Sequence, residues 1–251
     1  MIDFLINIDT EILLFLNSLH APWLDSFMSM ATGRFVWVPM YATILFILFR
    51  TFPRREACIY TVGVVLAIVF ADQICATVLR PQFERLRPSN PDNPVSELVH
   101  IVDDYRGGRY GFPSCHGSNS FALATILALI VGTPRFTRFI FFWAALNAYT
   151  RLYLGVHYPG DLITGAAIGS AGAAAIYYAM RGLASLYNRR VPDPRKLMMS
   201  ASKEESRVLF AYPAGMLAPV MRLNVVNVRV FDVLPAVGAS TMLVLFACAL
   251  F

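Results

Sequence analysis

Three short clusters in this chain bring together side chains able to bind an anion and move protons. The first is Arg80, six residues, then Arg87-Pro88. The second is Pro113-Ser114-Cys115-His116. The third is Arg151, five residues, His157, three residues, Asp161. Taken singly, each has an ordinary explanation: an arginine at a membrane edge snorkels, and a loop histidine is solvated. Their arrangement is harder to explain that way, because each cluster sits at the end of an apolar segment and all three fall on one face of the membrane that those segments define.

The segments themselves are plain. Of the 251 residues, 57% are hydrophobic and 15% charged, well below the roughly 25% charged of soluble domains. Phe35–Phe49, Ser118–Pro134, Leu162–Met180 and Val233–Phe251 contain no charge, and Ala57–Leu79 contains only Asp72. Phe136–Tyr153 carries Arg138 and Arg151 near its ends. A bilayer core needs roughly 20 mostly apolar helical residues. The expected fold is therefore all-α: a polytopic transmembrane bundle of five core spans, with a sixth at the C-terminus. A soluble helical core would need polar outer faces, which these helices lack.

Residues 4–19 place Phe4, Leu5, Ile8, Ile12, Leu13, Phe15, Leu16 and Leu19 at helical spacing among Asp3, Asp9 and Glu11. Acidic residues inside a span are costly, so this predicts an amphipathic helix lying at the interface. It has neither the basic start nor the cleavage site of a secretory signal. The division that follows is an interfacial helix over 1–22, a membrane core over 23–186, a basic linker and unassigned segment over 187–230, and a terminal span over 231–251. Val208–Val230 is interrupted by Pro213 and Pro219.

Orientation follows from Lys and Arg. With spans numbered from Phe35, the loops after the first and third and the linker after the fifth hold Arg50, Arg54, Arg55, Arg135, Arg138, Arg181, Arg189, Arg190, Arg195, Lys196, Lys203 and Arg207. The opposite face holds Arg80, Arg85, Arg87, Arg106, Arg109 and Arg151, three of which belong to the clusters. The first face is then cytoplasmic, and the net charge of +5 reflects topology and not nucleic-acid binding. An inner-membrane protein with its clusters facing the periplasm or cell exterior is expected. Cys58, Cys75, Cys115 and Cys248 show no metal-ligand spacing, and no two are expected to meet.

The three clusters resemble the signature of the type-2 phosphatidate phosphatase and vanadium haloperoxidase superfamily: Lys-x6-Arg-Pro, Pro-Ser-Gly-His and Ser-Arg-x5-His-x3-Asp. The resemblance covers about residues 57–180, and the spacing within each motif agrees. Arg80 stands where the family has Lys, Cys115 where it has Gly, and Thr150 where it has Ser. The resemblance implies phosphoryl transfer, which needs positioning and charge neutralisation. Arg80, Arg87 and Arg151 would grip phosphate oxygens as planar forks. Ser114 and Cys115 would add the amides of a helix start, where an anion is favoured. Because those donors are backbone groups, Cys115 can replace Gly unless its φ must be positive.

By the same resemblance His157 is the nucleophile, giving a phosphohistidine, and Asp161 holds its other ring nitrogen. His116 would act as general acid and base. No cofactor or metal is implied, since Asp161 is committed to His157 and no carboxylate cluster accompanies it. The implied partner is a membrane lipid phosphate, its chain remaining in the bilayer. Arg106 and Arg109, in the loop 89–111, are candidates for headgroup selection. An interfacial helix followed by five spans resembles the undecaprenyl pyrophosphate phosphatases. Ala71-Asp72-Gln73 and the run Arg106–Phe112 look more like the lipid A phosphatases of the Bacteroidota. Asp72 is expected to satisfy a buried partner. A phosphatidate or phosphatidylglycerophosphate phosphatase, a lipid phosphotransferase, a haloperoxidase and a non-catalytic transporter or scaffold are the other readings.

Overall fold

A computed structural model of the chain describes residues 2–33, 35–186 and 232–250. These residues are almost entirely helical. α1 is Ile2–Asn17, α2 Pro22–Ala31, α3 Val38–Thr51 and α4 Arg54–Gln73, which runs on without interruption through a π turn, Ile74–Leu79, into a short α5, Arg80–Phe83. A long loop leads to α6 (Cys115–Val131), α7 (Pro134–Tyr153), α8 (Pro159–Leu186) and a terminal α9 (Val233–Leu250). The linker assigned to 187–230 lies outside the described residues, as does most of the basic residue set within it. α2 was not anticipated from the sequence.

The starts and stops have local causes. Pro22, Pro134 and Pro159 each open a helix, where a missing N–H costs nothing. Ser114 caps α6 by accepting the Gly117 N–H, and Gly132 ends it at φ +69. Among the described residues three helices are long and apolar enough to cross a membrane: Arg54–Phe83, Pro159–Leu183 and Val233–Leu250; Val38–Thr51 and Cys115–Val131 are shorter apolar helices. Their outer faces expose Leu45, Phe46, Val62, Val65, Leu66, Val69 and Leu243, which suits lipid and not water. The chain is a membrane protein. Bundles of this kind place small residues at close crossings, and here α8 lies directly on α6.

Gly165 and Gly169 make that approach possible. A Cβ at Gly165 would stand 2.3 Å from the Ser114 carbonyl oxygen, and one at Gly169 2.0 Å from that of Ser118. Both obstacles are backbone, so neither can rotate away. α6 and α8 begin at the same end of the bundle, and the close crossing sets their starts side by side. Ser114 N–H donates to the Asp161 carbonyl at 3.0 Å, sealing the junction. Gly169→Ala should destabilise the protein by about 1–3 kcal/mol, the usual cost of overpacking, and lower activity with it. Thermal unfolding in detergent measures this, and an unchanged melting temperature would show that the helices can separate freely.

Candidate active site

The catalytic candidates come from α5, the long loop after it, α6, α7 and the start of α8, which meet at one end of the bundle. Arg80 follows the π turn, whose extra residue per turn changes the register with which α4 delivers it. Its Nη2 donates to the Pro113 carbonyl at 3.2 Å and to Cys115 Sγ at 2.8 Å. Arg87 lies in the long loop and donates through Nη1 to the Val156 carbonyl at 3.0 Å and to His157 Nε2 at 2.8 Å. Arg151, on the last turn of α7, donates to Thr32 Oγ1 at 2.9 Å and to the Tyr105 hydroxyl at 3.0 Å. The Nε atoms of all three are buried without a hydrogen-bond partner among the described residues.

His157 sits between α7 and α8, two residues after a tight turn at Gly155. Gly155 has φ +69, and a Cβ there would meet Val99 at 2.3 Å. The imidazole is buried, at 2% exposure. Its Nδ1 faces Asp161 Oδ2 at 3.3 Å, a long contact, and the carboxylate oxygen also accepts the Tyr158 N–H at 3.1 Å. With a proton on Nδ1, the Nε2 lone pair points to Arg87 and the centre of the cluster. Burial, and then Arg87, Arg151 and Arg80, hold the imidazole pKa well below its usual 6.5. Burial and the other two arginines lower Arg87 to about 10, still protonated at neutral pH.

His116 occupies the first turn of α6, and its Nε2 lies 3.3 Å from Asn147 Oδ1 on α7. Cys115 has ordinary negative φ, so a side chain in place of glycine brings no backbone strain there. Cys75 lies near its thiol, a proximity the sequence spacing did not lead us to expect. All four cysteines are free. Arg106 and Arg109 are not brought into the cluster. Arg106 pairs with Asp104 at 3.0 Å, and Arg109 with Asp92 at 3.4 Å, on the exposed side of the loop. The loop instead contributes Tyr105 to Arg151.

One functional residue escaped the sequence reading. Arg85 donates through Nη1 to Asp161 Oδ1 at 2.9 Å and pairs through Nη2 with Asp9 Oδ2 at 2.7 Å. Asp9 in turn accepts the Gly160 N–H at 2.7 Å. The guanidinium also lies 3.8 Å over the Tyr158 ring. Arg85 thus joins α1 to the carboxylate that orients His157. No motif marks it; its only sequence trace is Asp9, one of three acidic residues in α1.

A cavity of about 660 Å³ opens from Arg80, Arg87, His116, Arg151 and His157 and continues between α3, α4, α6 and α7 past Ile44, Leu48, Val64 and Ile68. A cationic mouth on an apolar shaft fits an amphiphile with an anionic head. Among the described residues no group of three or more His, Cys, Asp or Glu converges as a metal site would require.

A buried imidazole whose Nε2 accepts from Arg87, a carboxylate at its other nitrogen and three guanidinium forks at one end of a membrane bundle form an arrangement suited to phosphoryl transfer. Residues 57–184 match the model of the PAP2 superfamily, and the chain belongs to that family. It is a phosphoric ester hydrolase. It is 50% identical over 196 residues to a lipid A 4'-phosphatase of Bacteroides thetaiotaomicron, covering 78% of this chain and 87% of the relative. A lipid A 4'-phosphatase of Porphyromonas gingivalis is 34% identical over 167 residues, 66% of this chain and 70% of the relative. The crystal structure of Aquifex aeolicus LpxE superposes with a TM-score of 0.53 at 25% identity, over 66% of this chain and 92% of that one. A PAP2-type phosphatidylglycerolphosphate phosphatase from Bacillus subtilis shares the fold, with a TM-score of 0.50 at 21% identity over 75% and 89% of the two chains.

The site's electrostatics make a directional prediction. For a nucleophilic His157 the neutral form would be the reactive one, which puts the acidic limb of kcat/KM below pH 6.5. Arg87→Ala removes a positive neighbour and should move that limb to higher pH as well as lowering the rate. Arg85→Ala should lower kcat by up to about 100-fold through misplacement of Asp161, with Arg85→Lys recovering part of the loss. A pH–rate profile of each variant checks both; an unshifted limb in Arg87→Ala would contradict the placement of the charge.

Proposed function

We propose that this protein removes a phosphate from lipid A, through a phosphohistidine on His157 and without a metal ion. The observation that carries the reading is the placement of three guanidinium groups, two of them buried, and a neutral imidazole at the head of an apolar cavity. The names of the relatives at 50% and 34% identity supply the substrate. In the first half-reaction the lone pair of His157 Nε2 attacks phosphorus while the bond from phosphorus to the lipid oxygen breaks. Arg80, Arg87 and Arg151 take the non-bridging oxygens, Arg87 exchanging its contact with Nε2 for one of them. His116 gives its proton to the departing oxygen. In the second, water attacks phosphorus, His116 accepts a water proton, and the P–N bond breaks to release inorganic phosphate. The Nδ1 proton stays on the ring, held by Asp161, whose role is the one a carboxylate plays in a serine triad.

His157→Ala should abolish phosphate release, and His116→Ala should slow it about 10²–10⁴-fold, most severely for poor leaving groups. The assay is phosphate release by purified protein from lipid A, undecaprenyl pyrophosphate and phosphatidate, in the presence of a chelator. Activity in folded His157→Ala would end the nucleophile assignment. Loss on chelation that magnesium or zinc restores would end the metal-free reading, and turnover of phosphatidate or undecaprenyl pyrophosphate in preference to lipid A would replace the substrate.

We further propose an inner-membrane location with the site facing the periplasm or cell exterior. Arg50, Arg54, Arg55, Arg135 and Arg138 lie at the helix ends remote from the site, where the positive-inside rule places cytoplasm. The substrate would then be met in the outer leaflet of that membrane. With Cys58 and Cys115 replaced, a cysteine introduced in the 89–111 loop should react with an impermeant thiol reagent in cells with a permeabilised outer barrier. One introduced at 51–56 should not, and the reverse pattern would put the site in the cytoplasm.

A further inference from the structure

Below the cationic mouth, the cavity wall carries a second polar layer that the phosphoryl chemistry does not use. Asn119 lies one helical turn inward from Cys115 on α6. Asn147 and Trp143 lie one and two turns inward from Arg151 on α7, and Asp72 two turns before Arg80 on α4; all four line the cavity. At 1.5 Å per residue this layer is roughly 6–12 Å deeper than the phosphate grip. Polar groups at such a depth are costly unless paired.

Their pairing is incomplete in a particular way. Asn119 donates through Nδ2 to Asp72 Oδ1 at 3.0 Å, so the partner of Asp72 is a part-buried Asn side chain in place of the buried Gln or backbone group expected. The Asn119 Oδ1 atom, however, is buried without a partner among the described residues. Asn147 uses Oδ1 on His116, while its Nδ2 and the Trp143 Nε1 are likewise buried and unpartnered there. Asn147 is 4% exposed and Trp143 2%. Asp72 makes no ion pair among the described residues. The layer therefore holds acceptors on the α4–α6 side and donors on the α7 side, all on residues that line one cavity.

We infer that this layer is a specificity site for a lipid phosphate that carries amide N–H or hydroxyl groups just beyond its phosphate, as an N-acylated or hydroxyacylated lipid does. The inference rests on the reading of the chain as a lipid phosphatase and names a determinant within it. A polyprenyl phosphate has no polar atom at that depth and leaves Asn119 Oδ1, Asn147 Nδ2 and Trp143 Nε1 unmet. An ester-linked diacyl phosphate offers only acceptors, so it can engage Asn147 and Trp143 but leaves Asn119 Oδ1 and the second Asp72 oxygen without a donor. An amide or hydroxyl satisfies both sides, and sites built to bond such groups discriminate strongly against analogues lacking them.

The experiment compares kcat/KM for ceramide 1-phosphate, which bears an amide N–H and a hydroxyl, with that for a phosphatidate of matched chain length in mixed micelles. The wild type should prefer the first by at least about tenfold, the worth of one well-made hydrogen bond. Asp72→Leu and Asn119→Leu should each reduce that preference about tenfold, and Asp72→Asn by less. Asn147 touches His116 and is not a clean test. Equal kcat/KM for the two lipids in the wild type, or a preference that survives in both folded leucine variants, would overturn the inference and leave the lipid phosphatase reading standing. A wild type that releases phosphate from neither lipid nor from lipid A would overturn that reading as well.

Discussion

Three guanidinium groups crowd one buried imidazole, and among the described residues none of the three forms an ion pair. Like charges in a confined, poorly hydrated space repel strongly. The fold holds them with neutral acceptors instead: the Pro113 and Val156 carbonyls, the Thr32 and Tyr105 hydroxyls and the Nε2 lone pair of His157. A carboxylate among them would have quenched the field. Asp161, the carboxylate at His157, is occupied by Arg85 and turned to the far side of the imidazole. The attraction is thus kept for an incoming phosphate, and donors already fixed in place need no reorganisation when charge develops.

Everything around the cluster serves to keep those groups from relaxing. The loop after α5 is closed by a bridge between Leu86 and Tyr110 and by the Gly111 N–H on the Arg85 carbonyl at 2.8 Å, so Arg87 cannot drift outward. Asn17 on α1 donates to the His100 and Tyr153 carbonyls at 3.0 and 2.7 Å, tying α1 to that loop and to the end of α7. Asp9 and Arg85 then reach the start of α8. The first helix is consequently a brace for the active site, whatever its relation to the bilayer surface. At the other end the bundle is packed by apolar side chains, and the cavity shaft is the gap they leave between α3 and α4.

The same protein therefore holds two kinds of polar pairing. On the watered side, ion pairs such as Arg85 with Asp9 and Asp161 set geometry. Inside the bilayer, Asp72 and Asn119 satisfy each other only in part, and a membrane-buried carboxylate retained without a cation is a feature that ordinary packing does not require.

The motifs at Arg80, Arg87, Ser114, His116, Arg151, His157 and Asp161 were legible because phosphoryl transfer limits which residue types serve, and because helix ends fix the spacing between them. The spans were legible because a bilayer demands unbroken apolar length. The backbone tolerance of Cys115 could be stated in advance as a condition on φ but not resolved, since φ is set by the helix it begins. Arg85, Asp9 and the neighbouring Cys75 and Cys115 were invisible for a different reason: their meaning lies in partners tens of residues away. Only the crossing of α8 on α6, permitted by Gly165 and Gly169, the packing of α4 on α6 and the approach of α1 to the loop before α6 bring those partners together. Local sequence determines what a segment can be, whereas contact between segments depends on how closely their backbones approach.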